Sequence, residues 1–234
     1  MNPYDDDRLV NIYEDRYIHH PYVSNDIEFE IQLIEKTIHR YPDVSWCDVG
    51  CGTAYHLRNV KGFVDRTGID KSQKMMDFDK EKSYHDIERI CTDFLSIDTK
   101  TKYDIVTNFW LGYTHQSTLE QVMNFLQKMI DITEDGGTII LSVHNHAKLY
   151  NHLNLVTPEP MGGLFQFKGI VWSYKEPQYP DLEFDCISPH TDLIRELFEK
   201  HFEQIEIHHY PAPMGQYAGR ELLLCKKKIT TFPD

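Results

Sequence analysis

The feature that most constrains the fold is an alternation of short apolar segments with segments of helical periodicity between residues 44 and 143. The candidate strands are 44–49, 62–69, 87–92, 103–109 and 137–143. The candidate helices are 53–60, 72–80 and 117–131, and an amphipathic helix is also predicted within 24–42. Strands that alternate with helices form a parallel sheet covered on both faces, joined by right-handed crossovers. The order therefore predicts an α/β fold with five parallel strands.

The alternation ends after residue 145. Residues 146–189 combine prolines and glycines with five aromatic residues, and we interpret them as a cap over the substrate. A helix is predicted at 191–201, and two strand-like segments, "EQIEIHHY" and "RELLLCKKK", then follow closely enough to form an antiparallel hairpin. The prediction is a Rossmann-like, seven-stranded, mostly parallel sheet with helices on both faces and a C-terminal antiparallel hairpin. We expect one domain over 1–234, with 1–25 as an N-terminal lid.

Charge and composition restrict the partners. The formal net charge is −13 with only 24 Lys and Arg, and this balance opposes a nucleic-acid partner, which prefers a positive surface. The sequence has no apolar run of 18 residues, and "MNPYDDDRLV" lacks the apolar centre of a signal peptide. A cytoplasmic location without membrane contact is the resulting prediction. The five scattered cysteines are expected to be buried thiols.

A glycine turn follows the first predicted strand in "SWCDVGCGTAYHL". A dinucleotide-binding turn would have a third glycine where Tyr55 stands, so NAD and FAD are unlikely ligands. The pattern is instead Asp48-x-Gly50-x-Gly52-x-Ala54. A carboxylate before the glycines disfavours a pyrophosphate and favours a ligand with an ammonium or sulfonium group.

Two more aspartates follow the next two predicted strands. Asp70 stands twenty residues after Gly50, a spacing that suits a carboxylate accepting hydrogen bonds from ribose hydroxyls. Asp93 follows the third strand and could accept a hydrogen bond from an adenine amino group. Each aspartate alone could instead cap a turn. Three carboxylates after successive parallel strands would line one crevice.

The ordered set of motifs resembles the class I S-adenosylmethionine-dependent methyltransferases. "DVGCGTA" looks like the first motif of that family, "GIDKSQKMM" like the second, and "TDF" and "YDIVTNFWLG" like the third and fourth. The resemblance spans roughly residues 26–145 and 190–228, including the terminal hairpin. It implies a strand order of 3-2-1-4-5-7-6 and S-adenosylmethionine as the cofactor.

The resemblance also implies which residues bind the cofactor. The glycines would lie against its methionine part, the aspartates would contact its methionine end, ribose and adenine in chain order, and Met75 or Met76 would pack on the adenine. The full implied set is Asp48, Gly50, Gly52, Asp70, Met75, Asp93, Phe94 and Asn108, and we add Tyr17 because the N-terminal lid is expected to cover the cofactor. The family usually has glycine where Ala54 stands. An alanine is tolerable there if the position is helical, with φ below zero, and we expect somewhat altered packing but no loss of cofactor binding.

The fourth motif continues into "NFWLGYTHQSTLEQ", close to the expected methyl group. His115 is the candidate general base because histidine accepts a proton near neutral pH, and Tyr113 is the reserve candidate. The alternative is that His115 caps the helix starting near Thr118. The candidate substrate-binding residues are Trp110, Tyr13, His144 and Arg220.

These assignments leave alternatives open. The tyrosines near the N-terminus could cover the cofactor through a cation–π contact or simply pack on the first helix. Arg220 could pair with an acidic substrate or with a carboxylate of the protein. His144-x-His146 has a spacing that could hold a metal, but no recognisable ligand set accompanies it, so we predict no metal site.

The predicted function is S-adenosylmethionine-dependent methyl transfer to a nitrogen or oxygen of a small-molecule acceptor. The aromatic, glycine and histidine run after the fourth strand is similar to that of methyltransferases acting on glycine and amino sugars. The alternatives are a protein or RNA methyltransferase and a non-catalytic S-adenosylmethionine-binding protein. "NFWLGY" differs from the N-P-P-Y-like run of tRNA- and DNA-base N-methyltransferases.

Overall fold

A computed structural model describes residues 2–21, 23–40, 43–62, 64–78, 86–98, 100–145, 154–156, 164–168, 171–211 and 219–229. Its main sheet contains seven strands. They are β1 (Val44–Val49), β2 (Val64–Asp70), β3 (Ile87–Cys91), β4 (Tyr103–Asn108), β5 (Thr133–His144), β10 (Phe202–His209) and β11 (Arg220–Lys228).

The strand order is β10-β11-β5-β4-β1-β2-β3. In the consecutive strands β3, β2, β1, β4 and β5, each neighbouring pair is parallel, whereas β11 is antiparallel to both β5 and β10. The predicted fold class and strand order are confirmed. The order reverses at β1, with β2 on one side and β4 on the other, so a crevice opens beyond the carboxyl ends of these strands.

Helices cover both faces of this sheet. They are α1 (Asp7–Tyr17), α2 (Ser24–Ile38), α3 (Tyr55–Asn59), α4 (Gln73–Asp77), α5 (Leu119–Asp131) and α6 (Thr191–Glu199). Side chains alternate along each strand, so Val106 packs with Leu126 of α5, whereas Ile105 packs with Ile34 of α2 in a separate cluster. The two clusters form the core on opposite faces of the sheet.

The cap segment contains regular structure that its composition did not indicate. Residues within 154–187 form a second, four-stranded antiparallel sheet. Its strands are β6 (Asn154–Val156), β7 (Leu164–Lys168), β8 (Val171–Lys175) and β9 (Glu183–Ile187). Trp172 and Tyr174 alternate with more exposed residues along β8 and are buried, so one face of this sheet joins the core. The rest of the predicted cap, 146–153, 157–163 and 169–170, lies outside the described residues.

Most predicted elements agree with the structure within a few residues. Helix α1 and the cap strands were not predicted, and among the predicted elements the largest difference is β5, which begins at Thr133 and continues through Gly136 and Gly137 as an irregular start. Among the described helices, none is long and apolar enough to cross a membrane.

Candidate active site

An open cleft lies at the carboxyl ends of β1, β2 and β3 and has an empty volume of about 690 Å³. We call it the first cavity. The sequence motifs meet here, as the spacing predicted. The predicted residues that line it are Tyr13, Gly50, Gly52, Asp70, Met75, Asp93, Phe94, Trp110 and His115.

The glycine turn leaves the backbone open toward this cleft. Gly50 and Gly52 have φ angles of 70° and 56°, which residues with a side chain rarely adopt. A Cβ atom at Gly52 would lie 3.2 Å from the Met75 methyl carbon. Glycine at this position therefore keeps both the conformation of the turn and the space beside it.

Ala54 also has a left-handed conformation, with φ 61° and ψ 30°, so it does not have the helical conformation that would make an alanine easily tolerated here. This conformation costs a non-glycine residue about 1–2 kcal/mol. The Ala54 methyl group is fully buried in the core cluster that contains Leu57, and this packing opposes the backbone strain.

Asp70 connects the glycine turn to the next strand. Its Oδ2 accepts a hydrogen bond from the Gly52 N–H at 2.8 Å, and its Oδ1 accepts one from the Ser72 N–H at 2.8 Å. Burial raises the pKa of Asp70, and these two hydrogen bonds oppose the shift. The carboxylate is thus fixed in direction, and each oxygen retains a second lone pair for a ligand.

The far end of the cleft has an apolar wall and an exposed carboxylate. Met75 on α4 and Phe94 are buried and line the cavity. Asp93 is exposed, and its Oδ1 accepts a hydrogen bond from the Leu95 N–H at 2.9 Å. Asp93 therefore caps the 3-10 turn Phe94–Ser96 and also lines the cleft, so both interpretations hold for this residue.

Asp48 does not line the first cavity. It lines a smaller recess, which Gly50 and Thr53 also line. Asp48 is buried and accepts a hydrogen bond from the Thr107 hydroxyl at 2.6 Å. Burial raises its pKa to about 6, although His56 and Thr107 favour the charged form. The Thr53 hydroxyl in the same recess is buried with no hydrogen-bond partner among the described residues.

Asn108 does not line any of the cavities described here. Its Nδ2 donates to the Val49 carbonyl at 2.6 Å, and its Oδ1 accepts from the Tyr113 N–H at 3.1 Å. Its side chain is fully buried. The predicted cofactor contact is therefore replaced by a structural role, in which Asn108 joins the end of β1 to the loop after β4.

A second cavity, with an empty volume of about 710 Å³, adjoins the first. The described residues that line it are Tyr4, Leu9, Tyr13, Tyr17, Trp110, Leu111, His115, His144, Trp172, Tyr174, Phe184 and Arg220. Tyr17 lines this cavity and not the first one, contrary to its predicted place in the cofactor set. Its hydroxyl lies 2.7 Å from that of Tyr174, which directs the ring toward the cap.

Four residues line both cavities: Tyr4, Tyr13, Trp110 and His115. Three of them were predicted as site residues. Tyr4 was not, because it precedes α1 and belongs to no motif. Ser72 donates to the Tyr4 carbonyl at 2.7 Å and so holds the N-terminal segment beside the Asp70 turn.

The structure places His115 at this shared boundary. Its Nε2 lies 3.3 Å from the Tyr4 hydroxyl, and its Nδ1 lies 3.4 Å from the Cys186 sulfur. Burial, helped by the charge of Lys71, lowers the pKa of His115 to about 4. The ring is therefore neutral at physiological pH. The capping alternative was wrong, because the Thr118 hydroxyl itself accepts the Gln121 N–H at the start of α5.

Tyr113 is not placed for its reserve catalytic role. It is fully buried in the core beside α5 and does not line any of the three cavities described. Burial raises the pKa of its phenol further above the ordinary range.

Arg220 and His144 form the inner end of the second cavity. Arg220 is buried and pairs with Asp26 at 2.5 Å, so the protein carboxylate alternative is confirmed. Its guanidinium carbon lies 4.0 Å from the centre of the Trp110 ring. His144 lies 3.0 Å from the Ser188 hydroxyl. His146, the other residue of the candidate metal spacing, lies outside the described residues.

Similarities to known proteins agree with this geometry. A sequence-family model described as a methyltransferase domain matches residues 47–137, which include the glycine turn, Asp70 and Asp93. No curated protein matches the sequence. The fold is similar to that of an S-adenosylmethionine-dependent methyltransferase from Clostridium acetobutylicum ATCC 824, with a TM-score of 0.64 at 15% identity over 94% of this chain and 97% of the other.

Two further similar structures are N-methyltransferase NodS from Bradyrhizobium japonicum WM9 and the amino pentose methyltransferase CalS10 from Micromonospora echinaspora. NodS, in complex with S-adenosyl-l-homocysteine, has a TM-score of 0.64 at 12% identity, covering 99% of this chain and 100% of the other. CalS10, with S-adenosylmethionine bound, has a TM-score of 0.60 at 14% identity, covering 86% and 91%. At these identities the likeness shows the fold. Residues 47–137 match a methyltransferase domain, and the described chain has the fold of S-adenosylmethionine-dependent methyltransferases.

The cavities of this methyltransferase fit its cofactor, S-adenosylmethionine. The glycine turn exposes backbone where a Cβ would intrude, as at Gly52. The recess offers a buried carboxylate and an unpartnered hydroxyl, which match an amino-acid end. The first cavity combines Asp70 with an apolar wall, which matches a ribose and an adenine.

Proposed function

We propose that this methyltransferase methylates a nitrogen or oxygen of a small molecule bound in the second cavity. The boundary shared by the two cavities carries the proposal, because a methyl group can pass directly from one ligand to another only where their sites meet. Tyr4, Tyr13, Trp110 and His115 form that boundary. The names of two similar proteins, an amino pentose methyltransferase and an N-methyltransferase, support a small acceptor.

The cofactor supplies an electrophilic methyl group. The residues that we propose to hold it are Asp48, Gly50, Gly52, Asp70, Met75, Asp93 and Phe94. Asp48 would contact the ammonium, whose charge favours the ionised carboxylate. Asp70 would accept from the ribose hydroxyls, and Phe94 and Met75 would pack against the adenine.

The contribution of the protein to methyl transfer is mainly alignment, which can lower a barrier by several kcal/mol. Trp110 and Tyr13 would fix the acceptor against the cofactor, and His144 and Arg220 would limit its depth. The N-terminal segment 1–25 and the cap 146–189 would cover the reactants and exclude water. Tyr4 and Tyr17 from the first, and Trp172 and Phe184 from the second, support these roles because they line the second cavity.

The negative net charge of the chain favours a small acceptor over RNA. Residues of the N-terminal segment and of the cap line the second cavity, and this covering favours a small acceptor over a protein. The binding of RNA depends on positively charged side chains, and the formal net charge of this chain is −13. RNA binding would therefore lack its main electrostatic driving force. We also propose that the protein is cytoplasmic, where it would meet soluble small-molecule substrates.

Transfer of a labelled methyl group tests this function. The enzyme would be incubated with S-adenosylmethionine carrying a trideuterated methyl group and, separately, with metabolite, protein and RNA fractions of cells. We expect enzyme-dependent label in the metabolite fraction. Label confined to protein or RNA would support the macromolecular alternative. No transfer by a protein that binds the cofactor would support the non-catalytic alternative.

A further inference from the structure

We infer that the acceptor reacts through a neutral amine nitrogen and not through a hydroxyl oxygen. The inference rests on the proposed function, because it concerns the ligand of the second cavity. It follows from three properties of that cavity: the absence of carboxylate, lysine and thiol side chains from its described lining, the effect of burial on ionisable groups, and the number of aromatic rings.

The described lining residues of the second cavity include no aspartate, glutamate, lysine or cysteine. Glu176 is the carboxylate directly behind them, and it is fully buried. Its Oε2 accepts hydrogen bonds from the Arg16 guanidinium and from the Tyr17 and Tyr174 hydroxyls, and its Oε1 accepts from the Gln178 N–H. This carboxylate is engaged at both oxygens and is separated from the cavity by the two phenols.

Two of the remaining groups that face the cavity, His115 and Arg220, are also poor bases. His115 has a pKa of about 4, so its imidazole is neutral but binds a proton weakly at neutral pH. His144 is buried against the Ser188 hydroxyl and the Trp172 edge. Arg220 is a cation paired with Asp26 and accepts no proton.

Transfer to an alcohol oxygen needs a base, because the oxygen must lose its proton as it attacks. A neutral amine has a free lone pair and needs no base during the attack. Its nitrogen forms the bond to the methyl carbon, while the bond from that carbon to sulfur breaks and leaves its electron pair on sulfur. The ammonium product then releases a proton to water.

Burial in this cavity favours neutral forms of both acids and bases. It raises the pKa of the lining phenols Tyr4, Tyr13 and Tyr17, and it lowers the pKa of His115. A ligand in the same surroundings would experience the same effect. A buried phenol would keep its proton and stay unreactive, whereas a buried amine would lose its proton and become nucleophilic.

Aromatic rings dominate the wall. Seven of the described lining residues are aromatic: Tyr4, Tyr13, Tyr17, Trp110, Trp172, Tyr174 and Phe184. The face of an aromatic ring attracts a cation. Methylation of an amine moves the positive charge from sulfur to nitrogen, so the rings can stabilise the charge throughout the reaction. Methylation of an oxyanion would remove that charge from the cavity.

The position of the transferred label tests the inference. The full-length enzyme would be incubated with trideuteromethyl S-adenosylmethionine and a cell metabolite extract, with a reaction lacking enzyme as the blank. Tandem mass spectrometry and NMR would then locate the label in each product. We expect it on nitrogen. Label on oxygen would overturn the inference but not the proposed function, whereas label only on carbon or sulfur, or the absence of any labelled metabolite, would overturn both.

The pH profile of kcat/KM for the labelled acceptor gives a second readout. We expect a rise with pH that levels off at the pKa of the acceptor ammonium, because only the neutral amine reacts. The same rising limb should remain in the variant His115→Gln, which keeps a neutral hydrogen-bonding side chain. If kcat/KM of this variant no longer rises with pH, His115 acts as the base and the inference is wrong.

Discussion

Replacing Asp70 with alanine should weaken the binding of S-adenosylmethionine by about 10²-fold or more, because charge-assisted hydrogen bonds contribute about 1.5–3 kcal/mol each and two ribose hydroxyls would lose theirs. The change also removes the acceptor of the Gly52 and Ser72 N–H groups, which shape the glycine turn. Isothermal titration calorimetry with S-adenosylhomocysteine measures the affinity, and circular dichroism verifies that the variant is folded.

Asp65→Ala is the matched control for this measurement. Asp65 lies on the same strand, β2, but is exposed and does not line any of the three cavities described. The Asp65→Ala variant should bind the cofactor with the affinity of the wild type. An Asp70→Ala protein that is folded and binds within about threefold of the wild type would remove Asp70 from the proposed site, since that ratio corresponds to less than one hydrogen bond of this kind.

Replacing His115 with alanine should lower kcat by about 10²-fold, the size of effect expected when a reactant is misplaced by about 1 Å. The imidazole contacts Tyr4 and Cys186 and separates the two cavities, so its loss leaves the acceptor free to shift. Cofactor affinity should change little, because the proposed ligands of the ribose and the methionine part remain. Steady-state kinetics on the labelled acceptor, together with calorimetry, separates the two quantities.

Two further variants identify what His115 contributes. His115→Gln should recover part of the activity if the ring orients the acceptor, because the amide retains a neutral hydrogen-bonding group. His39→Ala, at the exposed end of α2, is the control for loss of an imidazole. Turnover of His115→Ala within a few-fold of the wild type would assign the alignment of the acceptor to other residues of the shared boundary.

The part of the site that local sequence determines was predicted well. Asp48 and Asp70 lie at the carboxyl ends of β1 and β2, the two glycines directly follow β1, and parallel strands bring such ends to one edge of the sheet. The left-handed conformation of Ala54 could not be predicted from the sequence, because such an alanine is disfavoured locally and persists only in a buried tertiary context.

Contacts between distant segments account for what the sequence did not indicate. Tyr4 meets His115 across 111 residues of chain, and Tyr17 meets Tyr174 across 157. No spacing rule connects such pairs. The four-stranded sheet of the cap was not predicted, because the prolines and glycines of this segment indicated a loop. Its position depends on alternate residues, such as Trp172 and Tyr174, that pack in the core.

A crystal structure of the enzyme with S-adenosylhomocysteine bound would test most directly the claim that the methyl group crosses at the boundary of the two cavities. We expect the adenine beside Met75 and Phe94, the ribose at Asp70, and the sulfur facing Tyr13, Trp110 and His115 with the second cavity beyond them. A sulfur atom directed away from those residues, or separated from the second cavity by protein, would contradict it.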